Sequence, residues 1–300
     1  MFKEPTSIPA CLDKFLSVFK KFLTGSFRFC SDAVRIFSSP NPQISTADVL
    51  WSWSRFRLSK MAAGLSGGST KRPYAFSVNG RRIEGPLLSD LWEMFHEIFI
   101  EQIYFATLPA GANIIDCGAN VGCSAIYFKL SFPDARITCF EPNPLIFPYL
   151  QKNVSGLSSV ETVQMACGKE NGTISFKVHP AYSTGSTTKD LWSPDMEKIE
   201  VAQVRLSDRI KERVDLLKLD VEGAELDVLE DLEAAGKLSM IDRMSIEFHH
   251  NLTMDRSDLA QFLSIIERAG FAYTIDASRD ATARFDNAQW QGMMIYAWRR

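Results

Sequence analysis

The sequence predicts an α/β protein built around a mainly parallel, doubly wound sheet. From residue 113 onward, short apolar segments alternate with segments of helical pattern, which is typical of parallel strands joined by crossover helices. A glycine-containing turn, Asp-Cys-Gly-Ala-Asn-Val-Gly at residues 116–122, directly follows the first of those apolar segments. In open parallel sheets, ligands bind beside such turns, at the carboxyl ends of the strands.

Length, composition and charge narrow the classes of function. The 300 residues permit one large domain with an appendage, and 46% hydrophobic with 23% charged residues predict a packed core. A net charge of −3 argues against a general nucleic-acid binder. The six cysteines form no CxxC pair, and we expect a reducing, cytoplasmic compartment. We find no apolar run of about 20 residues that would span a bilayer, and we expect no secretory signal.

An amphipathic helix is predicted over residues 11–37. Its apolar positions recur at three- and four-residue spacing, with lysines between them: Leu12, Phe15, Leu16, Phe19, Phe22 and Leu23. One interpretation is a helix packed on the main domain. The other is a helix that binds a partner or lies peripherally on the inner membrane surface.

We place the domain boundary after residue 73. Residues 1–73 form the helical extension and a linker, and residues 74–300 form the main domain. The main domain begins with a hairpin around Asn79-Gly80, a pair suited to the positive φ angles of a tight turn. A helix is then predicted over Leu87–Phe105.

The sheet and its helices follow in alternation. Strands are predicted over Asn113–Cys117, Arg136–Phe140, Val160–Ala166, Val214–Leu219, Ile241–Phe248, Phe271–Ile275 and Met293–Trp298, with an extra strand over Thr173–Val178. Helices are predicted over Val121–Leu130, Pro144–Val154, Ala224–Ala235 and Leu259–Ala269. Residues 179–200 form a polar insertion, either a lid over the site or an ordinary surface loop.

The ends of the first two strands predict a nucleotide-like ligand. Gly118 allows a tight turn and close approach of the backbone, and Gly122 permits close packing of helix on strand. Glu141 follows the second strand, where a carboxylate can accept hydrogen bonds from ribose hydroxyls. Asn120 occupies the place of the middle glycine of a dinucleotide fingerprint. With Asp116 suited to an amino group, directly or through water, this favours S-adenosylmethionine over NAD.

Four segments together resemble the FkbM-type S-adenosylmethionine-dependent methyltransferases: residues 116–122, 140–144, 216–225 and 246–249. The most specific is Leu-Leu-Lys-Leu-Asp-Val-Glu-Gly-Ala-Glu at residues 216–225. The resemblance implies a class I methyltransferase fold, a Rossmann-like sheet of seven strands. It also implies methyl transfer, usually to oxygen, with sugars, polysaccharide or lipopolysaccharide building blocks and polyketide-type natural products among the acceptors.

We predict that one group of residues holds the cofactor: Tyr104, Asp116, Gly118, Ala119, Asn120, Gly122, Glu141, Pro142 and Ala166. Tyr104 is expected either to cover the methionine end of the cofactor or to be a core aromatic. The alternatives to a methyltransferase are an NAD(P)-dependent oxidoreductase and a non-catalytic relative that binds the cofactor or a partner.

The catalytic prediction is that Asp220, Glu222 and His249 surround the acceptor hydroxyl, because they follow the fourth and fifth strands. His249 is the candidate base in a metal-free site. The alternative is a divalent metal held by His249 with Asp220 and Glu247. Lys218 lies in a strand that we expect to be buried, so it requires a carboxylate partner. Glu225 lies in the first turn of the next predicted helix, where we expect its negative charge to interact favourably with the helix dipole.

Overall fold

The computed structural model describes residues 30–65, 72–179, 182–187, 197–250, 258–277 and 291–299. Most of the predicted helix over residues 11–37 lies outside these ranges, and only residues 30–37 are described, as helix α1. No helix within the described ranges is long and apolar enough to cross a membrane.

The strands of the described chain are β1 (Tyr74–Val78), β2 (Arg81–Gly85), β3 (Asn113–Cys117), β4 (Arg136–Phe140), β5 (Val160–Val163), β6 (Ala166–Gly168), β7 (Gly172–His179), β8 (Tyr182–Thr187), β9 (Glu197–Arg205), β10 (Leu216–Leu219), β11 (Arg243–His250), β12 (Phe271–Ala277) and β13 (Gln291–Arg299). The further helices are α2 (Thr46–Leu65), α3 (Leu88–Phe95), α4 (Cys123–Ser131), α5 (Phe147–Val154), α6 (Leu206–Arg209), α7 (Glu225–Ala234) and α8 (Leu259–Arg268). A π-helical turn over His96–Glu101 and a 3₁₀ turn over Lys237–Met240 complete them.

The central sheet has seven strands in the order β12-β13-β11-β10-β3-β4-β5. The strands β5, β4, β3, β10 and β11 run parallel, whereas β13 lies antiparallel between β11 and β12. This is the α/β doubly wound sheet that the alternation of segments predicted. The pairing of Leu219 with Cys117 places the chain after β10 beside the chain after β3.

Both faces of the sheet are covered, because successive strand residues point to opposite sides. Ile114 is buried in a cluster with Tyr127 of α4 and Leu150 of α5. Its neighbour Ile115 is buried in a second cluster with Val228 of α7. Burial on both faces explains why β3 and β10 are apolar almost throughout.

The segment before the sheet packs on the first of these clusters. The predicted hairpin is confirmed, and Asn79 and Gly80 have φ angles of 49° and 73°. Phe56 of α2 lies between the hairpin and α3, with its ring centroid 5.4 Å from that of Phe76 and 5.1 Å from that of Phe95. The helix predicted to reach Phe105 changes to a π-helical turn and ends at Gln102, whose φ is 54°.

A second sheet, in the order β6-β9-β7-β8, stands beside the main one. The predicted strand Val160–Ala166 is wrong at its end, because β5 stops at Val163 and Ala166 begins β6 in the second sheet. The extra strand predicted over Thr173–Val178 is confirmed as β7. Residues 179–200 were expected to be an insertion of loop or lid. Their described part instead contains β8 and the first residues of β9.

Candidate active site

The turn after β3 depends on glycine at residue 118. Gly118 has a φ of 82°, and a Cβ atom there would lie 1.7 Å from the carbonyl oxygen of Asp220. The backbone amides of Gly118 and Ala119 both donate to the carbonyl of Phe140, at 3.0 and 2.9 Å. The turn is therefore enclosed by the ends of β4 and β10, as expected for the switch point of a doubly wound sheet.

Gly122 has a different partner from the one the sequence indicated. It precedes α4 with a φ of 90°, and a Cβ atom there would lie 2.9 Å from Leu150 Cδ1 and 3.2 Å from Val154 Cγ1. Both side chains belong to α5. The expectation of close helix-to-strand packing is therefore wrong, and the glycine permits contact between two helices.

Glu141, directly after β4, is buried against the same turn. Its carboxylate accepts hydrogen bonds from the backbone amides of Asn120, at 2.9 Å, and Asn143, at 2.8 Å. Burial raises the pKa of Glu141 to about 7, although these two hydrogen bonds act in the opposite direction. Pro142 is half-buried. The carboxylate is thus held at the end of β4 beside the turn, where the sequence predicted it.

Lys218 is the buried cation of the site. Its Nζ lies 3.2 Å from a carboxylate oxygen of Asp116 and 3.4 Å from one of Asp220, and it donates to the carbonyl of Gly118. Burial by itself would lower the pKa of Lys218, but Asp116, Tyr104 and Asp220 raise it well above its ordinary value. The predicted ion pair with a nearby carboxylate is confirmed. The ammonium links the turn after β3 to the turn after β10.

Asp116 and Tyr104 are both buried next to the Lys218 ammonium. The Asp116 side chain is wholly buried and accepts a hydrogen bond of 2.6 Å from Ser124 in addition to its contact with Lys218. The geometry favours support of Lys218 over direct contact with a ligand amino group. The Tyr104 ring is also buried, with its centroid 5.8 Å from Lys218 Nζ and 5.8 Å from the Phe128 ring. Tyr104 is therefore a core aromatic that lies beside the site.

Three side chains converge on the rim formed by the ends of β10 and β11. Asp220, Glu222 and His249 each offer an atom within 4.8 Å of the other two. The carboxylates keep about a quarter of their side-chain surface exposed, at 24% and 26%, whereas His249 is 3% exposed. Glu222 has a positive φ of 53°, which points to a constrained turn.

Both ring nitrogens of His249 face carboxylates. Nε2 lies 3.2 Å from Glu222 and Nδ1 lies 2.9 Å from Glu225. Burial alone would lower the pKa of His249, but Glu225 and Glu222 raise it well above its ordinary value. An imidazolium whose two N–H groups are both engaged has no vacant nitrogen. The geometry therefore does not support the prediction that His249 is the base.

Glu225 links the histidine to the turn that precedes α7. Its carboxylate is 1% exposed and accepts hydrogen bonds from the amides of Val221, at 3.2 Å, and Gly223, at 3.0 Å. The prediction that Glu225 interacts with the dipole of its helix therefore describes only part of its role. Glu225 lies in the first turn of α7, as predicted, but it also holds His249 and the backbone around Glu222.

Two further carboxylates border this rim and were not among the predicted catalytic residues. Burial, with the charge of Asp220, raises the pKa of Glu247 to about 8. Burial raises the pKa of Glu97, in the π-helical turn, to about 7, again with a contribution from Asp220. Glu97 precedes Asp220 by more than 100 residues. The sequence offered one signal for Glu97: it lies in the helical segment that comes shortly before β3.

Comparison with known families identifies the chain. Residues 116–273, over half of the 300, match the family described as the methyltransferase FkbM domain. The chain belongs to the FkbM methyltransferase family. It is accordingly a methyltransferase that uses S-adenosylmethionine. The alternative of an NAD(P)-dependent oxidoreductase is set aside by this match.

The methyltransferase has curated relatives in fungi and bacteria. Methyltransferase 1 of Beauveria bassiana (strain ARSEF 2860) is 32% identical over 210 residues, which cover 61% of this chain and 82% of that protein. Methyltransferase sdnD of Sordaria araneosa is 29% identical over 229 residues, covering 64% and 86%. The 2-O-methyltransferase NoeI of Sinorhizobium fredii (strain NBRC 101917 / NGR234) is 31% identical over 136 residues, covering 39% and 55%.

The residues of the site fit the chemistry of the cofactor. S-adenosylmethionine carries ribose hydroxyls, a positively charged amino group and a sulfonium. Glu141 offers carboxylate oxygens at the end of β4, and Asp220 presents a partly exposed carboxylate beside Gly118. Acceptors of hydrogen bonds and of positive charge therefore occur where a ligand of a doubly wound sheet binds.

Proposed function

We propose that this methyltransferase transfers the methyl group to a hydroxyl of a sugar, of a polysaccharide or lipid-linked glycan, or of a natural product. The observation that carries the proposal is the group of carboxylates beside the cofactor turn, Asp220, Glu222 and Glu247. A hydroxyl is a poor nucleophile at neutral pH and gains from a nearby base. NoeI, a relative whose name specifies 2-O-methyl transfer, supports the same class of acceptor.

The cofactor would be held by the turn after β3 and by Glu141. Glu141 would accept hydrogen bonds from the ribose hydroxyls, while Gly118, Ala119 and Asn120 would let the backbone approach. Pro142 and Ala166 would shape the surrounding wall, Gly122 would allow α4 to pack closely on α5 beside the turn, and Lys218 would keep the turn in place. When bound, S-adenosylmethionine supplies an electrophilic methyl group on its sulfonium.

Glu247 is the carboxylate best suited to accept the proton of the acceptor. It lies near the end of β11 and is partly exposed, and its side-chain carboxyl group makes no hydrogen bond or ion pair with the rest of the described chain. Its neighbours His249 and Glu225 bind each other. Glu247 therefore replaces His249 as the proposed base, and His249 becomes a positioning residue for the turn that carries Glu222.

A panel of acceptors tests this proposal. The purified full chain is incubated with S-adenosylmethionine and with sugars, glycans, hydroxylated natural products and amines, and the methylated atom is located by mass spectrometry and NMR. Glu247→Gln should lower turnover on the order of 10²-fold while cofactor affinity stays unchanged. Glu212→Gln is the matched control, because Glu212 is exposed and binds Arg136 at the amino end of β4, opposite to the end that carries the site. Methylation of amines alone would refute the proposal.

We also propose that the amino-terminal segment contacts an anionic membrane surface. Residues 11–37 carry the basic amphipathic pattern, and the described helices α1 and α2 expose large apolar side chains: Val34, Phe37, Trp51, Leu58 and Met61, each at least 60% exposed. Trp51, Arg55 and Leu58 follow one face of α2, so a basic residue accompanies the apolar ones. Apolar side chains interspersed with cations are typical of interfacial helices, and a lipid-linked acceptor would give this surface a purpose.

A further inference from the structure

We propose that Asp220, Glu222 and His249 bind a divalent cation, Mg²⁺ or Mn²⁺, which chelates two neighbouring oxygens of the acceptor. The proposal deepens the proposed function and rests on the acceptor being a hydroxyl compound. It names a ligand set different from the one that the sequence suggested, because Glu222 stands in the place of Glu247. It also replaces the prediction of a metal-free site.

The geometry of the three donors is close to that of a metal site. One atom from each of the three lies within 4.8 Å of the other two. Ligands at ~2.1 Å from a six-coordinate ion are separated by about 3 to 4.2 Å. The donor atoms therefore need to move by only a fraction of an ångström to close around an ion.

The surroundings of His249 are an independent indication. A metal-bound histidine almost always donates its second N–H to a carboxylate or carbonyl, which fixes the tautomer and the ring plane. Here Nδ1 lies 2.9 Å from the carboxylate of Glu225, which is 1% exposed and is not one of the proposed ligands. The backbone amides of Val221 and Gly223 also donate hydrogen bonds to this carboxylate. Nε2 is directed at Glu222, 3.2 Å away. A bound ion would take the place of the Nε2 proton between these two groups, and that proton would be released to solvent.

The charge of the rim also favours a cation. Asp220, Glu97 and Glu222 act electrostatically on Glu247, and Glu222 acts on Asp220, so a bound cation would offset repulsion among these carboxylates. The ammonium of Lys218 lies 3.4 Å from Asp220, but its charge is shared with Asp116 and with the carbonyl of Gly118. The partial exposure of Asp220 and Glu222 provides access from solvent.

The donor set selects the kind of metal and its use. Two carboxylates with one imidazole suit Mn²⁺ and Mg²⁺ better than soft metals, for which thiolates are preferred. Three protein ligands leave positions for two oxygens of a vicinal diol or a hydroxy acid. The ion would polarise the acceptor O–H. As the new O–CH₃ bond forms and the S–CH₃ bond breaks, the proton would pass to the Glu247 carboxylate, so that the step balances without another reactant.

Manganese binding by the full chain tests the site without any turnover. Mn²⁺ is titrated into the purified apo protein, with free ion followed by EPR and Mg²⁺ added in competition. Glu222→Gln and Asp220→Asn should each weaken Mn²⁺ binding on the order of 10- to 100-fold. The control is Glu97→Gln, which removes a carboxyl group from the same rim but leaves the ligand set intact, and should change affinity by less than about threefold. Thermal melting verifies that each variant is folded.

A second measurement identifies the nitrogen ligand. Pulsed EPR of the Mn²⁺ complex should show coupling to one ¹⁴N nucleus, which His249→Gln should remove. An equal loss of affinity in Glu97→Gln, or the absence of nitrogen coupling, would show diffuse attraction of an adventitious ion only and would overturn the proposal. Two further measurements separate failure of the metal proposal from failure of the proposed function: calorimetry with S-adenosylmethionine, and the acceptor panel repeated in the presence of a chelator. Hydroxyl methylation that persists without metal would leave the proposed function standing and refute the metal.

Discussion

Gly118 and Asp220 are in backbone contact across the switch point of the sheet, where a Cβ atom on residue 118 would lie 1.7 Å from the Asp220 carbonyl oxygen. The two turns proposed to bind the cofactor and the acceptor are therefore positioned by each other. Lys218 strengthens the contact, because its ammonium bonds to the Gly118 carbonyl and to the Asp220 carboxylate. A displacement of one turn should therefore disturb both.

Gly118→Ala should destabilise the protein by more than ~4 kcal/mol and abolish cofactor binding, because the methyl group overlaps backbone that cannot move away. Gly111→Ala is the matched control. Gly111 has a similar φ of 70°, but a Cβ atom there meets nothing within 4 Å, so the cost should be only about 1–2 kcal/mol of backbone strain. Urea unfolding and calorimetry with S-adenosylmethionine measure the two effects. Equal losses in both variants would mean that the close contact with Asp220 is unimportant.

Glu141→Ala should weaken S-adenosylmethionine binding by on the order of 1.5–3 kcal/mol, because hydrogen bonds between the carboxylate and the ribose hydroxyls are lost. That loss corresponds to about a 10- to 100-fold higher Kd in calorimetry. Binding of methionine, which has no ribose, serves as the comparison and should change much less. An unaltered Kd for the cofactor would place the ribose elsewhere.

Stability should fall as pH rises from about 4.5 to about 7, in part through Glu141. Burial raises the pKa of Glu141 from 4.5 to about 7, so the folded chain holds this proton more tightly than the unfolded chain. Its cost to stability is absent below 4.5, grows between 4.5 and 7, and is complete above 7. Glu141→Gln should flatten this slope in urea unfolding across that range. A variant that retains the wild-type slope would assign the titration to other carboxylates, such as Glu97.

His249→Ala should lower the free energy of unfolding by about 3–5 kcal/mol, because Glu225 would stay buried without its charged partner. The double variant His249→Leu with Glu225→Leu should recover part of that loss. Turnover should also fall in His249→Ala, while Glu247→Gln should lower turnover without loss of stability. If His249→Ala proves as stable as the wild type in urea, the buried pair has no structural role.

The full chain should associate with vesicles that contain phosphatidylserine, and deletion of residues 1–29 should weaken this. Trp51→Ser together with Leu58→Ser should weaken it further, since both side chains are about two-thirds exposed, at 66% and 65%. Salt should reduce the association, because lysine attraction contributes about 1 kcal/mol per residue near the surface. Cosedimentation measures all three effects. Leu145→Ser, also at a 65% exposed position but outside this surface, is the control.

The sequence was informative where one local pattern had one physical solution. Short apolar runs that alternate with helical segments predicted the strands of the main sheet, because parallel strands buried on both faces consist almost entirely of apolar residues. Lys218 in such a strand required a carboxylate, and Asp116 with Asp220 supplies it. The pair Asn79-Gly80 likewise predicted its turn, because both residue types tolerate positive φ, and the structure confirms positive φ at both.

The sequence was less informative where roles depend on contacts between distant segments. The residues next to Asp116 in the sequence do not show whether its side chain binds a ligand or is buried. In the structure it is wholly buried against Ser124 and Lys218. The pairing of His249 with Glu225 depends on how α7 sits against β11, and it changed the assignment of the base. The second sheet was hidden because its strands are short or polar and its partners lie far apart in the chain.

The position of β13 has a consequence for synthesis of the protein on the ribosome. β13 is inserted between β11 and β12, so within the described chain β12 has no other strand to pair with. While residues 291–299 are still inside the exit tunnel, the nascent chain holds β11 as an open edge flanked by apolar side chains. Such edges recruit other chains. Rapid translation of the codons for residues 271–299, or a chaperone that covers this edge, should therefore raise the yield of correctly folded enzyme.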